Sequence, residues 1–315
     1  MIDVVNGLES LPAPLTRTAV AIGVFDGVHR GHQEILRQTV REARSQNLTP
    51  VALTFDIHPT ELFRPESAPP YIASLSQRAA LMDAYGGGLA RVVMVRFDRA
   101  FASLAPEQFV ADVLQSALNA QHVLVGADFH YGRARAGNVA TLAEAGARGD
   151  FAVTVVPPIL RDGARISSTR IRELVAAGDL PGALSLLGHP FTVDGIVVPG
   201  KKLGRTLGYP TSNLAPTQPR QLLPGNGVYA AWAILPDGRR IRAAVSVGVN
   251  PTTDTDAAQK VEAYLMDGFS EDLYGQSLGL DFREKMRDEV RFDSLEALVT
   301  QIGRDVERVG ETLQA

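Results

Sequence analysis

Between residues 18 and 156, short apolar runs alternate with amphipathic stretches, and that alternation most constrains the fold. TAVAIGVF (18–25), PVALTF (50–55), RVVMVRF (91–97), HVLVGA (122–127) and FAVTVV (151–156) are strand-length and near-continuously apolar, as in strands covered on both faces. Between them, GHQEILRQTVREARSQN, SLSQRAALMDAY, APEQFVADVLQSALN and NVATLAEAGAR repeat at helical spacing; in the first, Ile35, Leu36, Thr39, Val40 and Ala43 share one stripe. Strands alternating with helices predict a parallel sheet with helices on both faces. Ligands of such sheets bind beyond the carboxyl ends of the strands, where GVFDGVHRGH (23–32) and VGADFHYGRARAG (125–137) fall.

The texture changes after LSLLGHP (184–190). FTVDGIVV, GVYAAWAIL, RIRAAVSVGV and KVEAYLMD alternate without intervening helices, and PDG (236–238) reads as a hairpin turn. An antiparallel barrel or sandwich is expected. A last helix begins near Asp293, with Glu296 in capping-box position and Leu295, Leu298, Val299, Ile302, Val306 and Val309 as its apolar stripe. The expected division is 1–185 and 186–315.

Composition narrows the function classes. Of 315 residues, 45% are apolar and 21% charged, enough for two cores. A formal net charge of −4 argues against a dedicated nucleic-acid binder. The absence of cysteine excludes disulfides and thiolate zinc sites and suits a reducing compartment. MIDVVNGLESLPAP lacks a basic flank before an apolar core, so no secretory leader is expected, and no apolar run is long enough to span a bilayer. The expectation is a cytoplasmic protein acting on small molecules, with neither nucleic acid nor membrane as partner.

Two of the six histidines, His29 and His32, stand in GVFDGVHRGH. Metal ligation lacks a third protein ligand nearby. A helix start decorated by polar residues is the plain alternative. The context favours an anion site. Asp26-Gly27 supplies a tight turn after a buried strand, Gly31 allows close approach of a phosphate, and a helix N-terminus presents free N–H donors. ISSTRIREL (166–174), preceded by Arg165, crowds Ser167, Ser168, Thr169, Arg170 and Arg172 at a second helix start. In the second half, GIVVPGKK (195–202) approaches a P-loop but has Lys202 in place of Ser/Thr, and the continuation LGRTLGYPTSN is too rich in Gly and Pro for a helix to be expected. GKKLGRTLGYPTSNL (200–214) reads instead as a Gly-rich flap between two strands, with Thr211 and Asn213 as hard oxygen ligands for Mg²⁺.

GVFDGVHRGH with ISSTRIR resembles the nucleotidyltransferase superfamily that carries an HxGH signature. TFDIHPTELF (54–63) and VGADFHYGRARAG narrow the resemblance to the FMN adenylyltransferase module of prokaryotic bifunctional riboflavin kinase/FAD synthetases. A Rossmann-like domain is implied, with an ATP/FMN site at Gly23, Phe25, Asp26, Gly27, His29, His32, Asp128, Arg165, Ser168, Thr169 and Arg172. The rest resembles the same family's riboflavin kinase module through PTSN (210–213), GVY (227–229), GVNPT (248–252), VEAYLMD (261–267), DLYG (272–275) and RDEVRFDSLEALVTQI (287–302). By that resemblance Gly204, Pro210, Thr211, Asn213, Glu262 and Arg287 form an ATP/flavin site in a β-barrel, Thr211 and Asn213 hold Mg-ATP, and Glu262 is the general base. The implied substrates are riboflavin, FMN and ATP, with ATP as co-substrate and Mg²⁺ as cofactor. Ile57, Asp128, His189, Ser212, Tyr264 and Gly268 depart from the usual pattern, and the Asp128 charge would repel phosphates unless balanced. Rival readings are an enzyme with only one active step, an FMN-binding oxidoreductase, and a nucleotide-sensing or RNA-binding module; the oxidoreductase lacks a Gly-rich dinucleotide fingerprint.

Overall fold

The computed structural model describes residues 2–12, 15–200, 203–249 and 259–314. Lys201 and Lys202 of the expected flap, and Asn250, Pro251 and Thr252 of GVNPT, lie outside them. Packing divides the chain into two units, 1–69 with 75–167 and 70–74 with 168–315.

The first unit is built on a sheet of parallel strands. β1 (Asp3–Asn6), β2 (Thr18–Ile22), β3 (Thr49–Phe55), β4 (Arg91–Val95) and β5 (Ala120–Gly126) belong to it. After β5 come a small ribbon of β6 (His130–Tyr131) and β7 (Gly137–Asn138), the sheet strand β8 (Ala152–Val156), and a hairpin of β9 (Leu160–Arg161) and β10 (Ala164–Arg165). The sheet order is β1-β4-β3-β2-β5-β8. Its faces follow the period of two. Val20, Ile22, Val51, Leu53, Val93, Val95, Val123 and Val125 share one core with the helical stretches Phe109–Ala117 and Val139–Gly149. Ala21, Ala52 and Val92 face Leu36 and Val40 of helix Arg30–Gln46 and Met82 of helix Leu75–Tyr85. Burial on both faces explains the continuous apolar runs. β1, four residues of DVVN at the sheet edge, is too short and exposed to leave such a signature.

In the second unit, β11 (Phe191–Val198), β12 (Thr211–Pro216), β13 (Gly227–Ile234), β14 (Arg240–Gly248), β15 (Lys260–Leu265) and β16 (Ser277–Arg287) close an antiparallel barrel in the order β11-β12-β15-β14-β13-β16. The PDG turn joins β13 to β14, with Gly238 at φ 86°. Two strands and one short helix differ from expectation; the helix, Leu203–Thr206, is about one turn at the start of LGRTLGYPTSN, where none is expected, and the chain leaves it before Gly208 and Pro210. The PTSN end of the expected flap is strand β12, because its backbone is paired on both sides, by β11 and β15. β16 goes unread in SLGLDFREKMR because two register shifts against β13 break its alternation. Helices Ser168–Ala177 and Leu180–Leu187 pack with this unit, the latter against β11 and β16.

The C-terminal helix, Leu295–Thr312, is capped by Ser294, whose hydroxyl accepts the Ala297 N–H at 3.1 Å; the cap falls one residue beyond Asp293. Arg287 on β16 ties this helix down through a bidentate pair with Asp305, Nη2 to Oδ2 at 2.7 Å and Nε to Oδ1 at 2.9 Å. Gln301 adds a bond to Asp305 at 2.9 Å. Asp305→Ala leaves a largely buried guanidinium without its anion and is expected to cost about 3 kcal/mol. Urea unfolding followed by fluorescence of Trp232, the single tryptophan and a β13 residue, measures it.

In the first unit, His122 on β5 is buried between Gln46 (2.9 Å) and the Thr154 hydroxyl (2.8 Å). Burial pushes its imidazole below the ordinary 6.5, with Glu42 pulling weakly the other way. The unfolded chain therefore takes up a proton that the folded chain resists. The stabilisation is complete above pH about 6.5 and is lost as pH falls through the lowered folded value. His122→Gln is expected to flatten this loss, read by hydrogen exchange of β2 and β5 amides at about pH 7.5 and about pH 5.

Candidate active sites

β2 lies between β3 and β5, and the chain reverses its direction of travel across the sheet there. The loops leaving β2 and β5 therefore rise side by side at a topological switch point, where open α/β sheets bind ligands. The β2 loop is strained. Phe25 (φ 51°), Gly27 (φ 76°) and Val28 (φ 37°) all take positive φ, and Phe25, Asp26 and Val28 are buried. Val28 N–H donates to Phe25 O at 3.1 Å, closing the turn. A β-branched residue at such a φ is rare and persists only where its surroundings hold it.

The turn delivers His29 to the N-cap of helix Arg30–Gln46, where its Nδ1 accepts the His32 N–H at 3.2 Å. The polar-start reading is thus right as far as it goes: His29 caps the helix. The cap also sets the tautomer. With Nδ1 accepting, the neutral ring carries its proton on Nε2. His32 stacks on His29 at 3.6 Å between centroids and meets Phe25 edge-on at 5.3 Å. A Cβ on Gly31 would lie 3.1 Å from the His29 ring, and one on Gly23 as close to the Phe25 ring. Both glycines make room for this stack.

Asp128, on the β5 loop, forms an ion pair with Arg165 at 2.8 Å. That pair balances the Asp128 charge, and both groups stay exposed. Gly23, Phe25, Asp26, Gly27, His29, His32, Asp128 and Arg165 thus belong to the first unit. Ser168, Thr169 and Arg172 belong to the second, on helix Ser168–Ala177; Arg172 Nε donates to the Pro70 carbonyl at 2.7 Å within that unit.

In the barrel, Asn213 stands opposite Glu262 and Thr211 opposite Tyr264 in the β12–β15 register. Directly opposed residues share a face. Val261, Ala263 and Leu265 fill the interior, so Thr211, Asn213, Glu262 and Tyr264 lie on the outer face. Thr211 Oγ1 donates to Glu262 Oε2 at 3.3 Å. A cavity of about 320 Å³ covers this face, walled by Leu298, Ile302 and Val306 of the C-terminal helix together with Tyr209 and Phe292. A second cavity, of about 540 Å³, is lined by the more polar set Asn226, Ser246, Lys260, Glu289 and Arg291. Glu262 lines both. An outward-facing glutamate in an alternating strand is ordinarily solvated; this one stands where two cavities meet. Arg287 also lines the first cavity, but its guanidinium is committed to Asp305. Pro210 ends the flap beside β12, exposed.

Sequence reasoning passed over Tyr209, Ser246, Glu289 and Phe292, whose spacing carries no period and which only the barrel gathers. Tyr264 packs edge-on against Tyr209 at 5.3 Å. Gly268 takes φ 72°, following Asp267 at φ 61°, in a turn where an aromatic side chain would be strained.

A family model described as FAD synthetase matches residues 11–170, and one described as riboflavin kinase matches 187–313. The bifunctional riboflavin kinase/FMN adenylyltransferase of Escherichia coli (strain K12) is 38% identical over 302 residues, covering 96% of this chain and 95% of its own. That of Pseudomonas fluorescens is 39% identical over 304 residues, covering 96% of each. A solved structure described as a macrolide-efflux protein from Streptococcus pneumoniae superposes with TM-score 0.85 at 31% identity, over 97% of this chain and 98% of that one. Its description concerns that protein; among the described residues here, no helix is long and apolar enough to cross a membrane. Fold and comparisons together define a transferase that joins a nucleotidyltransferase module to a kinase module. The chain belongs to the family of bifunctional riboflavin kinase/FMN adenylyltransferases.

Gly204 offers a test of the barrel site. Its carbonyl accepts the Tyr209 N–H at 2.8 Å, and a Cβ there would lie 2.3 Å from the Tyr209 carbonyl oxygen. Gly204→Ala is expected to displace Tyr209 and lower turnover of riboflavin phosphorylation roughly tenfold, with the barrel's Trp232 unfolding transition unchanged. Steady-state kinetics beside a denaturant melt checks both.

Proposed function

We propose that FAD is made from riboflavin at two separate sites, with residues 186–315 carrying the kinase step and residues 1–185 the adenylyl transfer. The kinase assignment is carried by Glu262, which lines both barrel cavities, stands opposite Asn213 and accepts the Thr211 hydroxyl. The apolar wall of Phe292, Leu298, Ile302 and Val306 suits the planar flavin ring. Glu262 takes the proton of the ribityl hydroxyl as that oxygen attacks the γ-phosphorus of ATP, and ADP leaves. Thr211 and Asn213, two residues apart on one face of β12, present a hydroxyl and an amide oxygen, hard donors that fit Mg²⁺. That ion takes few protein ligands and completes its shell with phosphate and water. Among the described residues no group of three or more acidic or histidine side chains could hold a metal, so substrate phosphates would complete the coordination. Bound there, Mg²⁺ would neutralise charge on the triphosphate.

In the first unit, a phosphate oxygen of FMN attacks the α-phosphorus of ATP and pyrophosphate departs. Nε2–H of His29, the neighbouring His32 and the Arg165 guanidinium are placed to donate to the phosphates as charge shifts to the leaving group. Asp128 orients Arg165. Gly204 and Pro210 shape the flap over the kinase nucleotide in this reading. The setting is the cytoplasm, where ATP is at hand.

Incubation of the full-length protein with riboflavin, ATP and Mg²⁺, followed by chromatography, is expected to yield FMN and then FAD. His29→Ala should abolish FAD formation and leave FMN formation intact, and Glu262→Ala should abolish FMN formation while FAD still forms from supplied FMN. A variant losing both reactions while still folded would refute one site per module.

A further inference from the structure

Arg78 is only 1% exposed, on helix Leu75–Tyr85, four residues before the buried Met82. It occupies a stripe position where an apolar side chain is the ordinary occupant. Burying a guanidinium is costly unless its donors are taken up. Here Nη1 donates to the Val24 carbonyl at 2.8 Å and Nη2 to the Asp56 carbonyl at 3.2 Å. Val24 lies just beyond β2 and Asp56 just beyond β3, so one planar fork bridges the carboxyl ends of two neighbouring strands.

Both ends are further tied. The Val24 carbonyl also accepts the Thr54 hydroxyl at 3.0 Å, which uses both its lone pairs. The Asp56 carboxylate accepts the N–H groups of Ile57 and Phe97, each at 2.8 Å. From Val24 the chain runs directly into the positive-φ turn Phe25–Val28 and then His29. At the far end of that turn, Gln33 Nε2 donates to the Val28 carbonyl at 2.9 Å. The turn is thus held at both ends, Arg78 holding the near one. Stability alone does not call for a charge here, since an apolar residue of similar volume commonly serves a buried site as well or better. What a cation adds is specific to the place. Carbonyl oxygens at the carboxyl ends of parallel strands are negative toward the crevice where a polyphosphate would enter, and a guanidinium bonded to two of them offsets that field.

We infer that Arg78 is a positioning residue for adenylyl transfer: through the Val24 and Asp56 carbonyls it sets the strained turn that aims His29 and His32. This rests on the reading of those histidines as the phosphate-handling pair. Arg78→Met and Arg78→Lys, made in the full-length chain, test it. In Arg78→Met, kcat for FAD formation from FMN and ATP should fall roughly 10- to 100-fold, while both KM values move less than about threefold. Riboflavin phosphorylation by the same sample should be unchanged. Arg78→Lys keeps the charge but cannot span both carbonyls, so it should restore only part of the turnover. Nitrogen-15 NMR of histidine-labelled protein should show His29 as the Nε2–H tautomer in the parent, and a changed signature in Arg78→Met. Unaltered FAD turnover with the His29 signature intact overturns the inference. So does a loss that appears only in KM, or one that Arg78→Lys repairs fully. If Arg78→Met does not fold, Arg78→Lys decides by the same two readouts. FAD formation surviving in His29→Ala would instead remove the reading of the histidines, and the NMR comparison would still report whether Arg78 sets the turn.

Discussion

Backbone hydrogen bonding around β2 is the constraint on which the first unit depends. The strand is paired on both edges, with β3 and β5, and buried on both faces, so its register has no freedom to slip. When the ladder runs out, the polar groups that follow still need partners. Gly23 N–H finds Leu53 O, Val24 O is met by Thr54 and Arg78, and the Val28 carbonyl is met by Gln33. A turn that would be unfavourable alone is determined from all sides, and its product is a histidine at a helix N-cap whose Nδ1 is committed to the His32 N–H. The geometry of this turn follows from how a buried strand is allowed to end.

The barrel solves a different problem. Its interior is filled by small and branched side chains such as Ala231, Ala263, Val245 and Leu280, and the cavity beside Glu262 lies on an outer face. Alternation places Glu262, Thr211 and Asn213 there together. The C-terminal helix then converts an open face into a cavity, held by Arg287 and Asp305 on one side and by Val309 docked among Val228, Ala230 and Met286 on the other. Its apolar stripe therefore does two jobs: Val309 packs, while Leu298, Ile302 and Val306 wall the cavity.

Legibility differed from element to element for physical reasons. Strands buried on both faces announce themselves because every position must be apolar, and helices with one buried stripe because the stripe recurs. β1, β12 and β16 carry neither sign. The first is a short edge strand, the second takes its conformation from two partners despite PTSN at its start, and the third is bent by bulges. His29 and His32 stood out because histidines are few and theirs follow a buried strand. Arg78 was visible only as an odd charge in an apolar stripe, and nothing in its neighbours along the chain points to the carbonyls it bonds. Arg287, read beside a ligand, turned out to spend its guanidinium on Asp305 as well as lining the cavity.

By itself the sequence determined the class of each module and the parallel sheet followed by antiparallel strands, because periodicity and local turn residues are properties of contiguous chain. Tertiary structure alone decided which of those residues meet. Glu262 comes between two cavities only once β12, β14 and β15 are in register, and Asp128 finds Arg165 only once the chain has passed through β8 and its hairpin. Such pairings are set by strand order and packing between residues far apart along the chain, and no local pattern encodes them.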